Sequence, residues 1–117
     1  MKHLLALMLA TAALPAFADD PTVENVSAQH SSGGWQFHVT LSHPDTGWDH
    51  YADGWRVLDM NGNELGLRVL AYPHEQEQPF TRSLGGVQIP KGTQQVQIQA
   101  RCLTDGWASE TYLVRLP

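Results

Sequence analysis

Period-two alternation of apolar and polar side chains is the feature that most constrains the fold of this chain. It is clearest in residues 35–41 and 95–102, where every second side chain is apolar. Strict alternation over this length is typical of a β-strand that buries one face. Residues 65–71 follow the same rule, which predicts one shared face for Leu65, Leu67, Val69 and Ala71. Weaker runs occupy residues 22–30, 54–59, 80–89 and 110–116.

These runs are separated by turn-forming Gly, Pro, Asn and Asp residues. One example is Asn61-Gly62-Asn63, which lies between the runs at residues 54–59 and 65–71. Their number and spacing predict an all-β domain, a seven-stranded antiparallel β-sandwich of the immunoglobulin or fibronectin type III kind. A small closed barrel is the alternative, and the strand count favours the sandwich. We expect a single domain over residues 19–117.

Residues 1–18 have the pattern of an export signal. A positive start at Lys2 precedes an apolar stretch over residues 4–14 and an Ala-Phe-Ala cleavage site. The apolar stretch is too short to span a bilayer, which takes about 20 residues. The sequence therefore predicts a signal peptide and a periplasmic mature chain, residues 19–117, without membrane insertion.

The charge balance limits the partners of this chain. It has 7 Lys and Arg residues against 12 Asp and Glu residues, and a net charge of −5. Nucleic acids and anionic lipid surfaces are bound by basic faces, so neither is an expected partner. Among the few cations, Arg82 is expected to pair with Asp49 or Asp53 and so to order the loops.

Residues able to do chemistry are concentrated in loops that this topology brings together. If consecutive strands run antiparallel, alternate connections emerge at the same end of the sandwich. These connections are residues 43–53, 72–79 and 103–109, and loops on a rigid scaffold commonly carry function. The candidate metal ligands are His43, His50 and His74 with Asp49 assisting, and the other candidate ligand- or partner-binding residues are Asp45, Trp48, Tyr51, Asp53, Glu75, Glu77 and Trp107.

Three histidines and neighbouring carboxylates at one pole predict a metal site. Imidazole nitrogen and carboxylate oxygen are ligands of zinc, and imidazole also suits copper. We therefore expect zinc or copper as the ion. The alternative is that these histidines are solvated or hydrogen-bonded to backbone carbonyls, because the spacing His-x6-His is not diagnostic.

Cys102 is the single cysteine of the sequence, which excludes an intramolecular disulfide. The residues after it, 103–107, contain no histidine, so the spacing of a blue-copper site is absent. Cys102 lies on the same face of the predicted strand as the apolar side chains of its run. We interpret it as a buried small hydrophobe.

The loop over residues 43–53 also has a local pattern. Thr46 and Asp49 fit a capping box, which predicts one helical turn over residues 48–53. In such a turn Trp48 and Tyr51 share a face. A structural interpretation is that these two aromatic side chains cover the open end of the sandwich.

The sequence favours a binding protein over an enzyme. It contains no Gly-x-Ser-x-Gly elbow, and a small domain with short loops offers no deep groove for glycoside hydrolysis. The alternative to metal binding is a protein-interaction or carbohydrate-binding module that uses Trp48, Tyr51 or Trp107 as anchors. An envelope protein is the expected macromolecular partner, and the oligomeric state stays open.

Two motifs in these loops resemble a known family. Residues 43–55 read HPDTGWDHYADGW, and residues 77–83 read EQPFTRS. With the patterns HPxTGWDHYADxW and EQPFTRS, the chain resembles a family of short exported proteobacterial proteins of unassigned function. The resemblance implies a periplasmic single-domain protein and adds no catalytic residue.

Overall fold

The computed structural model describes residues 20–117, and the predicted export signal at residues 1–18 lies outside this range. The described residues form eight strands, seven of which overlap the predicted runs. The additional strand, β7, has two residues and was not predicted. The strands are β1 (Thr22–Ser31), β2 (Gly34–Ser42), β3 (Ala52–Leu58), β4 (Glu64–Val69), β5 (Phe80–Val87), β6 (Gln95–Cys102), β7 (Gly106–Trp107) and β8 (Tyr112–Arg115).

The strands form two antiparallel sheets in a sandwich-like arrangement. One sheet has the order β1-β2-β5, and the other has the order β4-β3-β6-β7 with β8 also paired to β6. The prediction of an all-β, antiparallel fold is confirmed. In residues 20–117 we find no helical segment with the length and apolar character that crossing a membrane requires.

The core lies between the sheets and contains the apolar faces of β2 and β6. Phe37, Val39 and Leu41 of β2 are fully buried, as are Val96 and Ile98 of β6. Full burial of one such side chain stabilises a fold by about 1.5–3 kcal/mol. In these two strands the alternation correctly predicted which side chains face the core.

β4 departs from the predicted shared face. Leu65 packs against the core, whereas Leu67 and Val69 are exposed. The β3–β4 register skips Leu65, because Gly66 and Glu64 pair with consecutive residues of β3. An extra residue of this kind is a β-bulge, and it exchanges the two faces of the strand beyond it. The prediction of a single apolar face for this run is therefore wrong.

Three connections meet at one end of the sandwich, which we call the loop pole. It consists of residues 43–51, 70–79 and 103–105. Leu103 N donates to Tyr51 O at 2.9 Å, which joins the third connection to the first. His74 N donates to the Asp45 carboxylate at 2.7 Å, which joins the second to the first. The predicted convergence of these connections is confirmed.

The first connection of the loop pole contains a tight turn in place of the predicted helical turn. Thr46 N donates to His50 O at 2.9 Å, and His50 N donates to Gly47 O at 3.2 Å. Gly47 has a φ of 129°, which lies far from the α-helical value. The capping-box interpretation of Thr46 and Asp49 is therefore wrong, because the glycine between them reverses the chain.

The ion pairs near the loop pole also differ from the prediction. Arg82 pairs with Glu77, with 2.9 Å between Nη2 and Oε1. Asp53 pairs with Arg101, with 3.0 Å between Oδ1 and Nε. The expected pairing of Arg82 with Asp49 or Asp53 is wrong, because Glu77 on the adjoining loop offers a partner close along the chain.

Candidate functional site

Asp45 is a buried carboxylate that joins separate segments of the loop pole. The residue is 8% exposed. Its Oδ1 accepts from Ala52 N at 3.0 Å and lies 2.5 Å from His43 Nδ1, while Oδ2 accepts from His74 N at 2.7 Å. Buried charged groups are retained only where they are paired or hydrogen-bonded, and both oxygens of Asp45 meet this condition.

Gln78 provides a second connection between the same segments. Its Oε1 accepts from His43 N at 3.0 Å, and its Nε2 donates to His74 O at 2.9 Å. His43 is therefore held both at its main chain and at its ring. Gln78 was not selected from the sequence, because a glutamine in a polar loop has no distinguishing pattern.

Among residues 20–117, one group of metal-ligating side chains converges at the loop pole: His43, His50 and Cys102. One ligand atom from each lies within 4.8 Å of the other two. The two imidazole rings pack edge to face with centroids 4.7 Å apart. Each ring has a buried Nε2 without a hydrogen-bond partner. Because Asp45 holds Nδ1 of His43, Nε2 is the nitrogen left free to bind an ion.

Cys102 reaches this group because it is the last residue of β6. It pairs with Ala52 at the start of β3 and is fully buried. Burial raises the pKa of the Cys102 thiol, and the N–H of Asp105, 3.3 Å from Sγ, acts in the opposite direction. A bound metal displaces such a thiol proton. The predicted burial of Cys102 is confirmed, but its place beside two histidines was missed.

His74 lies in the loop pole but outside this group. Its ring stacks on Phe80 with centroids 4.0 Å apart, and its Nδ1 is 3.9 Å from Asp45 Oδ2. Burial lowers the pKa of His74, and the nearby Arg82 acts in the same direction. His74 is therefore a neutral ring at neutral pH that packs beside Asp45.

Asp49, the fourth predicted ligand, also lies outside the group. It is exposed, and its main-chain oxygen accepts from Thr104 Oγ1 at 3.2 Å. Of the four predicted ligands, the structure brings together His43 and His50.

The remaining candidate residues lie on the surface of the loop pole and beside it. Trp48 is 66% exposed and contacts Tyr51 edge to face, with centroids 5.9 Å apart. The interpretation of Trp48 as a cover for the sandwich is therefore wrong. Trp107 of β7 is half-buried beneath the Arg56 guanidinium, 3.8 Å from the ring centroid. Glu75 and Glu77 are exposed.

The donor set of this group suits zinc or copper. Both ions accept imidazole nitrogen and thiolate sulfur. Zinc bonds of about 2.0–2.1 Å to nitrogen and about 2.3 Å to sulfur place tetrahedral ligand atoms roughly 3.5 Å apart. Ligand atoms within 4.8 Å of one another therefore need to approach by no more than about 1.3 Å. Asp105 Oδ2 lies 3.5 Å from the Cys102 sulfur, but Asp105 is exposed and is not one of the three residues whose ligand atoms converge.

Comparison with known proteins gives one informative relative. A protein of Halomicrobium mukohataei described as "Putative lipoprotein" is 36% identical to this chain over 96 residues. The match covers 81% of this chain and 47% of the relative, so the chain spans about half the length of that protein. No protein-family model matches the chain, and no solved structure matches it.

Proposed function

We propose that this protein binds one transition-metal ion, zinc or copper, through His43, His50 and Cys102, and that it is a binding protein and not an enzyme. The observation that carries the proposal is the convergence of three ligand atoms within 4.8 Å. The unpartnered Nε2 atoms of both histidines support it, because buried polar atoms normally have partners. An ion supplies the missing partner for both.

The proposed location is the cell envelope, and more specifically the periplasm. The signal pattern of residues 1–18 supports export. The description of the Halomicrobium mukohataei relative as a "Putative lipoprotein" also supports export of this chain. We further propose that the sandwich is of the immunoglobulin or fibronectin type III kind, on the basis of its two antiparallel sheets.

Metal binding is tested on the purified, reduced protein by elemental analysis and isothermal titration calorimetry with Zn²⁺. The expected result is one zinc ion per chain and a rise in the melting temperature. Calorimetry that detects no binding of Zn²⁺ or of copper in either oxidation state would overturn the proposed function.

The ligand set is tested with matched histidine and cysteine variants. His50→Ala and Cys102→Ala are each expected to weaken zinc binding strongly, because each removes one of three ligands. His30→Ala is the control, since His30 is exposed at the far end of β1 from the loop pole. His74→Ala is expected to keep zinc binding. Zinc binding by Cys102→Ala at wild-type strength would exclude this set of ligands.

A second candidate function is supported by the exposed aromatic side chains of the loop pole. Trp48 is the most exposed of them, and Tyr72 is also exposed. Aromatic side chains are typical anchors of interfaces, so this surface suits an envelope protein or a carbohydrate. Trp48→Ala is expected to abolish such binding while it leaves zinc binding intact. Loss of zinc binding in Trp48→Ala would show that the two candidate functions are not separable.

A further inference from the structure

Asp45 is a fully buried charge directly behind the candidate metal centre. Its side chain has no solvent exposure, and neither does the side chain of His43. The groups that face its two oxygens are Nδ1 of His43, the main-chain N–H groups of Ala52 and His74, and Nδ1 of His74 at 3.9 Å. The two main-chain groups are donors, so each oxygen of Asp45 accepts a hydrogen bond from the protein.

We propose that Asp45 positions His43 and gives the centre the charge that selects a divalent ion over a monovalent one. This inference rests on the proposed metal site at His43, His50 and Cys102. It adds a residue outside the ligand set and names the charge of the ion.

The positioning role follows from the two ring nitrogens of His43. Asp45 Oδ1 accepts the hydrogen bond from Nδ1, which fixes the proton on that nitrogen and leaves the lone pair on Nε2. This Nε2 is buried without a hydrogen-bond partner, and the His43 ring that contains it packs edge to face on His50. Carboxylates placed in this way orient metal-binding histidines and strengthen them as ligands.

The charge role follows from the sum of buried charges around the ion. Neutral imidazoles contribute nothing, while the Cys102 thiolate and the Asp45 carboxylate contribute one negative charge each. A divalent ion brings this sum to zero, whereas a monovalent ion leaves a net negative charge that burial disfavours. Asp105 also lies near the sulfur, but it is exposed and water screens its charge.

The test compares Zn²⁺ with Ag⁺, a monovalent ion that also prefers sulfur and nitrogen ligands. Asp45→Asn removes the charge and nearly preserves the shape, and Asp49→Asn is the control because Asp49 is an exposed carboxylate at the same pole. In Asp45→Asn the affinity for Zn²⁺ is expected to fall about 10–100-fold, the range for residues that support a metal ligand. The affinity for Ag⁺ is expected to fall much less, so the preference for Zn²⁺ declines.

The outcomes separate this inference from the proposed function. An equal loss of Zn²⁺ and Ag⁺ affinity would assign Asp45 a purely structural role and overturn the charge argument. Unchanged affinity for both ions would overturn both roles. If the wild-type protein binds neither of these ions and no copper, the metal site itself has failed.

A measurement on the wild-type protein keeps the inference testable if Asp45→Asn does not fold. Nitrogen NMR of the zinc-loaded protein distinguishes the two ring nitrogens of His43. The expected spectrum shows zinc on Nε2 and the proton on Nδ1. Zinc on Nδ1 of His43 would overturn the inference, because Asp45 then has no hydrogen bond to that ring nitrogen.

Discussion

Replacement of Asp45 by alanine is expected to destabilise the metal-free protein strongly. The substitution removes the acceptor of the Ala52 and His74 main-chain N–H groups. Water does not replace this acceptor easily, because the Asp45 side chain is fully buried. A buried N–H group left unpaired costs about 1–3 kcal/mol, so two such groups cost about 2–6 kcal/mol. The central value of about 4 kcal/mol is large beside the total stability of about 5–15 kcal/mol for a small domain.

The assay is urea denaturation of the metal-free protein, with tryptophan fluorescence as the signal of unfolding. If the m-value is about 2 kcal/mol per molar, Asp45→Ala lowers the urea midpoint by roughly 2 M. Asp49→Ala is the matched control and is expected to change the free energy of unfolding by less than about 0.5 kcal/mol, because Asp49 is exposed. A loss below about 1 kcal/mol in Asp45→Ala would refute the reasoning, since the two N–H groups must then have other partners.

Three other outcomes are expected. Zn²⁺ at about 100 times its Kd is expected to raise the free energy of unfolding by about 2.7 kcal/mol, as measured by urea titration. The same rise in Cys102→Ala would contradict the assigned ligands. The pKa of His74 in the folded protein lies below its ordinary value of 6.5, so the unfolded chain binds the proton at a higher pH than the folded chain does. The free energy of unfolding therefore declines as the pH falls from 6.5 towards the lower folded-state pKa. His74→Phe is expected to remove this part of the pH dependence of the urea midpoint, and an identical pH profile would show that His74 is not its source. Gly47→Ala is expected to destabilise the fold by about 1 kcal/mol or more, because Gly47 has a φ of 129°, a value that strains an alanine. Gly33→Ala is the control in thermal unfolding, since Gly33 has open space around it, and equal melting temperatures of the two variants would contradict the strain at Gly47.

The sequence was sufficient for the parts of the fold that depend on local pattern. Alternation in β2 and β6 predicted the core-facing side chains, because burial of one sheet face imposes period two on the chain itself. The up-and-down order of strands then predicted which connections share an end. In β4 the same rule failed at Leu65, because a bulge is defined by pairing with a neighbouring strand and leaves no mark on the alternation.

The candidate site was predictable only in part. His43 and His50 were both candidate ligands, and the structure places them side by side, since they lie in one loop of distinctive composition. The conformation of that loop was not predictable from Thr46 and Asp49, because the tight turn at Gly47 decides which side chains point inward. The burial of Asp45 was also missed, since it depends on how its own loop folds back to Ala52 and on a donor from another connection, the main-chain N–H of His74.

By itself, the amino-acid sequence determined the β-class of this protein and the end of the molecule where its polar loops gather. Only the tertiary structure decided that Cys102 completes a group with the two histidines. That contact depends on the register of β6 against β3, in which Cys102 pairs with Ala52. Register between strands far apart in the chain is set by packing of the whole core, and the residues of one strand alone do not encode it.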